Sequence, residues 1–277
     1  MRLTVTSWSF PACTFAEAGA IARALGFRAM DLGLLHGAAL DRTRIINSPD
    51  AAAADLLRDP GLRGLSVSNV YWLFGRDIQE NAISDPTACD SNNRMFGQVC
   101  RFAAGAGCTT IFVLPGVSGP GAFDAAAASL RDLVAIAARH GITLTVEPHV
   151  GGLLASPAAT LAMLDAVPGL KLTLDYAHFI CMGFRQTEID VLAPHAAHVH
   201  MRQARPGALQ AKWAEGVLDF TAMVDVLRDT GYAGWLSVEY VHQAYMNTLS
   251  DDVLTETIRM RDHLLALGLT TQVNSRR

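Results

Sequence analysis

The sequence predicts an α/β fold, a single (β/α)8 barrel spanning residues 1–277. Three observations point to it. Short β-branched runs alternate with longer Ala- and Leu-rich segments of helical period from one end of the chain to the other. The runs begin near Leu3, Ala29, Leu65, Thr109, Thr143, Lys171, Ala197 and Trp235, which makes eight. Their starts lie 26 to 44 residues apart, room for the crossover helix that parallel neighbours require. No interval resembles a linker, and barrels of ~250 residues commonly form one unit.

Each element carries its own punctuation. The opening MRLTVTSWSFP has Thr4, Thr6, Ser7 and Ser9 where a secretory apolar region would stand, so it reads as a strand and not as a signal peptide. Thr14 and Glu17 form a capping box ahead of FAEAGAIARAL, and Gly26 sits where a left-handed C-cap is needed. The second run ends at Asp31. The third ends in VYW and leads into a long loop, Gly75 to Ser91. Residues Phe102 to Phe123 carry no charge, but glycines and prolines interrupt them repeatedly, which predicts helix, loop, strand and loop in place of a membrane span. Gly141 precedes the fifth run, and Ser156 with Pro157 opens the next helix. A second long loop, Ala204 to Val217, follows the seventh run; Asp219 starts a helix, and Gly231 and Gly268 close the last two. Neither G-x-G-x-x-G nor G-x-x-x-x-G-K-[ST] occurs, which removes the main support for a dinucleotide or P-loop site.

Composition excludes further classes. With 51% hydrophobic and 17% charged residues the chain can bury a large core. A net charge of −4, with no basic run before the last two residues, gives no grip on a nucleic-acid backbone. The five cysteines are odd in number and form no C-x-x-C pair, which fits a reducing cytoplasm better than a disulfide framework or a zinc ribbon.

The chemistry is expected at the C-terminal strand ends, as in barrels generally. The last four runs end in polar residues: ITLTVEPH, KLTLDYAH, AHVHMRQ and WLSVEY. Side chains alternate across a strand with period 2. If Glu147 points inward, so does Thr145, with Leu144 and Val146 facing the helices. The same phase aims Asp175 above Thr173, His200 and Arg202 above His198, and Glu239 above Ser237. An isolated acid in a strand is ordinarily a salt-bridge partner, but four in-phase groups on successive strands are not coincidental. Three converging carboxylates repel one another, and a divalent cation resolves that repulsion. An oxygen-rich set with one imidazole suits Mn²⁺ first, with Mg²⁺ or Co²⁺ as alternatives.

VEPH at 146–149, LDYAH at 174–178, HVH at 198–200 and VEY at 238–240 resemble the second half of the xylose-isomerase-like TIM barrel superfamily. Ketose 3-epimerases, hydroxypyruvate isomerases and inosose dehydratases are the relatives with the nearest patterns. The resemblance implies that Glu147, Asp175, His200 and Glu239 ligate the metal, that Glu147 and Glu239 also act as the acid/base pair, and that His178 contacts substrate. It implies a substrate-binding arginine after the histidine, for which Arg202 and Arg205 compete; His149 is either a supporting group or a substrate contact. Some members continue as H-x-H-x-K-D, where this chain has Arg202 and Gln203. The implied activity is metal-dependent isomerisation or epimerisation of a small carbohydrate through an enediolate. Elimination by a lyase or dehydratase is the runner-up. Relatives also form dimers or tetramers, so a homo-oligomer is compatible with the family.

Other polar residues receive blander assignments. His198 reads as a hydrogen-bonded core histidine one layer below His200. Asp31 reads as a substrate contact or as a capping or structural acid. Trp8, Tyr71, Trp72 and Phe74 at the mouth read as packing before sugar recognition. His36, His140, His195, His242 and His263 receive no role. The segment VHQAYMN after the eighth run lacks a basic cluster, which favours an unphosphorylated sugar or sugar acid. An abasic-site endonuclease would need further His and acidic ligands where the first four strands end in TSW, DLG, VYW and LPG. A non-catalytic sugar-binding protein would have no use for Glu147 and Glu239 together.

Overall fold

The computed structural model describes residues 1–33, 40–242 and 252–272. Eight strands, β1 (Arg2–Thr6), β2 (Ala29–Leu32), β3 (Ser66–Tyr71), β4 (Thr110–Val113), β5 (Thr143–Val146), β6 (Lys171–Asp175), β7 (Ala196–Met201) and β8 (Trp235–Val238), pair in parallel in chain order. β1 closes the barrel against β8, with Leu3 level with Leu236 and Thr4 with Ser237. Helices occupy the outside: α1 (Phe15–Ala24), α2 (Arg42–Asn47), α3 (Pro49–Arg58), α4 (Cys89–Gly105), α5 (Ala122–Arg139), α6 (Pro157–Ala166), α7 (Tyr176–Cys181), α8 (Gln186–Ile189), α9 (Phe220–Asp229) and α10 (Val253–Ala266).

The anticipated punctuation is present. Thr14 and Glu17 form the reciprocal box at the start of α1; Ser156 caps α6; Asp219 accepts from the N–H groups of Thr221 and Ala222 at the start of α9. One boundary differs. The loop expected to reach Ser91 ends sooner, because Asp85 caps a turn at Pro86–Ala88 that feeds directly into α4. The polar run from Asp85 to Asn93 thus conceals a helix start of the kind that an Asp-Pro pair favours.

The period-2 alternation divides the strands into two layers. Leu3, Val5, Leu144, Val146, Leu172, Leu174, Val199, Met201, Leu236 and Val238 are buried in one continuous apolar layer under the helices. The barrel interior is polar instead. Thr4, Thr6, Asp31, Ser68, Thr145, Thr173, His198, His200 and Ser237 are all buried there. Irregularities between Met30 and Asp31, where β2 meets β3, and between Leu172 and Thr173, where β6 meets β7, adjust the register; after the second, Asp175 lies level with His200.

Glycine matters most where α1 crosses the turn Pro60–Leu62. A Cβ on Gly19 would lie 1.9 Å from the Gly61 carbonyl oxygen. Gly19→Ala must therefore push helix and turn apart, and the expected cost is about 1–3 kcal/mol. Thermal denaturation should show a lowered melting temperature; an unchanged one would mean that the helix withdraws freely.

Candidate metal centre

β5 to β8 bring Glu147, Asp175, His200 and Glu239 together at the C-terminal mouth, each offering a ligand atom within 4.8 Å of the others. All four are buried, Glu239 being the most accessible at 7%. Asp175 is placed by its local sequence. As N-cap of α7 it uses Oδ1 to accept from the Ala177 N–H (2.8 Å), which leaves Oδ2 for the centre. The same short helix sets His178 beside the centre, with Nε2 3.7 Å from Asp175 Oδ2.

Internal cations offset the three carboxylates. His200 donates from Nδ1 to Glu147 Oε1 (2.7 Å), and the same nitrogen is 3.2 Å from Glu239 Oε2. Arg202, only 5% exposed, donates from Nη2 to Asp175 Oδ2 at 2.6 Å. That nitrogen is also 3.4 Å from Glu239 Oε2 and 3.1 Å from His178 Nε2. The electrostatic consequences diverge. Burial pushes Glu147 up to about 7 against the pull of His200. Burial would raise Glu239 as well, but Arg202 and His200 overcome it and hold that carboxyl at about 2. The two carboxyl groups thus stand in different electrostatic surroundings within one site. Burial also holds His149 down at about 4 and His178 well below the ordinary histidine range.

The donor set suits a divalent ion. Three carboxylates and one imidazole match hard-to-borderline metals. Glu239 Oε2 is buried and accepts no hydrogen bond, with His200 Nδ1 at 3.2 Å and Arg202 Nη2 at 3.4 Å facing it only at ion-pair distance, so it keeps a lone pair to offer an ion.

Around these groups, Val150 N–H donates to His178 Nδ1 (3.0 Å), and the His178 ring packs 4.2 Å from that of His149, which is half-buried. Arg205 is exposed, in a turn with Ala208. The site therefore brings together Glu147, Asp175, His178, His200, Arg202 and Glu239, with His149 beside them and Arg205 turned to solvent. His198 lies deeper and donates from Nε2 to Asp31 Oδ2 at 2.7 Å. His36 and most of VHQAYMN lie outside the described residues.

Two residues of the site receive another role in the sequence analysis. Trp8, read as mouth packing, donates from Nε1 to Glu239 Oε1 (2.6 Å) while its ring meets His200 edge-on at 5.9 Å. Asp31, read as a substrate contact or cap, lies inside the barrel against His198. No strand phase signals the first of these, because β1 ends at Thr6 and Ser7–Ser9 form a 3-10 turn that aims the indole. Tyr71 and Phe112, stacked 4.5 Å apart, complete an apolar wall against His200.

Both long mouth loops are anchored. Arg42 donates to the carbonyls of Leu73, Phe74 and Gly75. Gln203 bonds both the N–H and the C=O of Leu218, and Gln210 does the same for Val241.

A sequence model of the Xylose isomerase-like TIM barrel family matches residues 20–261, and the chain belongs to this family. No protein of curated function matches the sequence. Among solved structures, D-allulose 3-epimerase from Methylomonas sp. superposes with a TM-score of 0.70 at 17% identity, over 96% of this chain and 98% of the other. The probable 3-DHS dehydratase involved in petrobactin synthesis from Bacillus anthracis gives 0.69 at 17%, over 95% and 99%. A xylose isomerase-like TIM barrel protein from Mycobacterium smegmatis in complex with magnesium gives 0.71 at 16%, over 96% of each. At these identities the likeness establishes the fold. Among the described residues no helix is long and apolar enough to cross a membrane.

Removing one partner of a buried ion pair costs about 3–5 kcal/mol. Arg202→Met should therefore lower the melting temperature of the chelator-treated protein markedly, and added Mn²⁺ should recover more stability in the variant than in the wild type. Equal melting temperatures without metal would show that Arg202 does not neutralise the cluster.

Proposed function

We propose that this chain, as one domain, is a divalent-metal-dependent isomerase or epimerase that enolises a small ketose or related polyhydroxylated carbonyl compound. The observation that carries this reading is the buried Glu147–Asp175–His200–Glu239 cluster at the strand ends, in which Glu239 Oε2 accepts no hydrogen bond. These four residues would hold the ion, Mn²⁺ first and Mg²⁺ or Co²⁺ as alternatives. When bound, the ion supplies a Lewis acid facing the substrate oxygen on which enolisation builds negative charge.

The protein's own groups do the rest. Glu147 and Glu239 directly follow β5 and β8, which are separated by two strands, and so approach the centre from different directions. One takes the proton α to the carbonyl; the other returns a proton to invert that centre, or the first delivers it to the neighbouring carbon. Trp8 fixes one Glu239 oxygen and leaves the second for chemistry. Arg202, His178 and His149 would bind substrate oxygens, Arg202 being buried beside the ligands where Arg205 is exposed. The aromatic wall of Trp8, Tyr71 and Phe112 excludes water from His200. Elimination is the second reading: the similar fold of the 3-DHS dehydratase favours it, and a leaving group β to the carbanion needs no additional ligand.

The decisive test is solvent deuterium incorporation into unphosphorylated ketoses, inososes and 3-keto glycosides with the Mn²⁺-loaded protein. We expect label at the carbon next to the carbonyl, loss of exchange on chelation and recovery with Mn²⁺. Glu239→Gln should slow exchange about 10²–10⁴-fold while circular dichroism stays unchanged. Appearance of an unsaturated product would move the assignment to the lyase; wild-type exchange rates in Glu239→Gln would remove this residue from the acid/base pair.

A further inference from the structure

Below the metal centre lies a second, wholly buried polar assembly. Asp31 on β2 is fully enclosed, and so is His198 on β7. Asp31 Oδ1 accepts from the Ser68 hydroxyl at 2.5 Å, and Ser68 is itself 2.7 Å from Thr4 Oγ1. Asp31 Oδ2 accepts from His198 Nε2 at 2.7 Å. The same oxygen is 3.5 Å from Nε2 of His200, whose other nitrogen faces Glu147 and Glu239. His200 Nε2 is buried without a hydrogen-bond partner. Asp31 is the acid paired with that atom, while the ring's flanks are closed by Trp8, Phe112 and His198.

An imidazole has two nitrogens, and the partner of one decides what the other can do. A carboxylate behind Nε2 favours a proton there, so that Nδ1, which now donates to Glu147, is the nitrogen that would give up its proton to offer a lone pair to an ion. Ligating histidines are commonly held in this way by an outer carboxylate. Asp31, His198 and His200 also have ligand atoms within 4.8 Å of one another. However, His200 is common to both groups, and without it only Asp31 and His198, bonded directly to each other, remain, so these residues form a support and not a second ion site.

We propose that Asp31, itself fixed by Ser68 and His198, is a positioning residue: it holds His200 with Nε2 protonated and Nδ1 turned toward Glu147 and Glu239, and thereby sets the affinity of the centre for its divalent ion. This rests on the metal-centre reading above.

The test is the Mn²⁺ dissociation constant, measured by electron paramagnetic resonance of free Mn²⁺ on the full-length protein, with the Co²⁺ ligand-field spectrum as a second readout. In Asp31→Asn the expected weakening is about 10- to 100-fold, the range for loss of an outer partner of a metal ligand. The Co²⁺ spectrum should shift, because the imidazole is no longer oriented. Ser68→Ala should weaken Mn²⁺ binding in the same direction by less, and it carries the test if Asp31→Asn does not fold. A purely structural role would lower the melting temperature of the metal-free protein and leave both readouts unmoved. Wild-type Mn²⁺ affinity in folded Asp31→Asn or, failing that variant, in folded Ser68→Ala overturns the inference. Failure of wild-type protein to bind Mn²⁺ or Co²⁺ overturns instead the metal-centre reading on which it rests.

Discussion

Three carboxylates meeting in a space closed to water are the constraint on which the rest of the structure depends. Any one of them alone would be expensive to bury; together they repel, and the fold persists only where cations are brought among them. The chain supplies two from one strand and its end. His200 stands against Glu147 and Glu239, and Arg202 against Asp175 and Glu239. The two lie two residues apart, His200 in β7 and Arg202 just past its end, so the strand's phase delivers both. β7 is therefore the electrostatic counterpart of β5, β6 and β8, and a register slip by one residue would turn both cations toward the helix layer and leave the acids unopposed.

The polar interior follows from the same requirement. Barrels are usually filled by branched apolar side chains, which would leave buried carboxylates and imidazoles with nothing to bond. Here the layer under the site is made of hydroxyls and histidine, and they bond one another: Thr145 lies 2.7 Å from Thr173, and Thr4 the same distance from Ser68. Small hydroxyl side chains can donate or accept as a neighbour requires. Stability is left to the outer layer of Leu, Val and Met under the helices. Function and cohesion are thus divided between the two faces of each strand.

Much of this was legible in the sequence because it depends on local periods. Strand starts, the Thr14–Glu17 box, the Ser156 and Asp219 caps, and the inward phase of Glu147, Asp175, His200 and Glu239 all follow from alternation or from capping chemistry within a few residues. Partnerships between distant strands did not follow. Asp31 lies 167 residues from the His198 it accepts from, and Trp8 lies 231 from Glu239; nothing near either residue in the chain selects that partner. The phase of Thr4 and Thr6 does not carry on to Trp8, which lies in the 3-10 turn Ser7–Ser9, and the indole's bond to Glu239 needs the closure of β1 on β8. The hidden start of α4 is a different failure: the polar residues that make a helix N-terminus also make a loop.

The departure from H-x-H-x-K-D at residues 202 and 203 becomes intelligible in the same terms. Arg202 meets Asp175, Glu239 and His178 through the single nitrogen Nη2 while remaining buried, and its charge persists there because a guanidinium, unlike a buried lysine ammonium, does not give up its proton. Gln203, one residue on, faces away from the cluster, and its amide supplies both a donor and an acceptor to the backbone of Leu218, closing the neck of the long loop after β7. An aspartate there would offer acceptors only and could not bond the Leu218 carbonyl. The pair Arg-Gln thus joins charge compensation inside the mouth to anchoring of the loop that borders it. Substitutions at these neighbouring positions should be considered together, since one sets the electrostatics of the cavity and the other the shape of its rim.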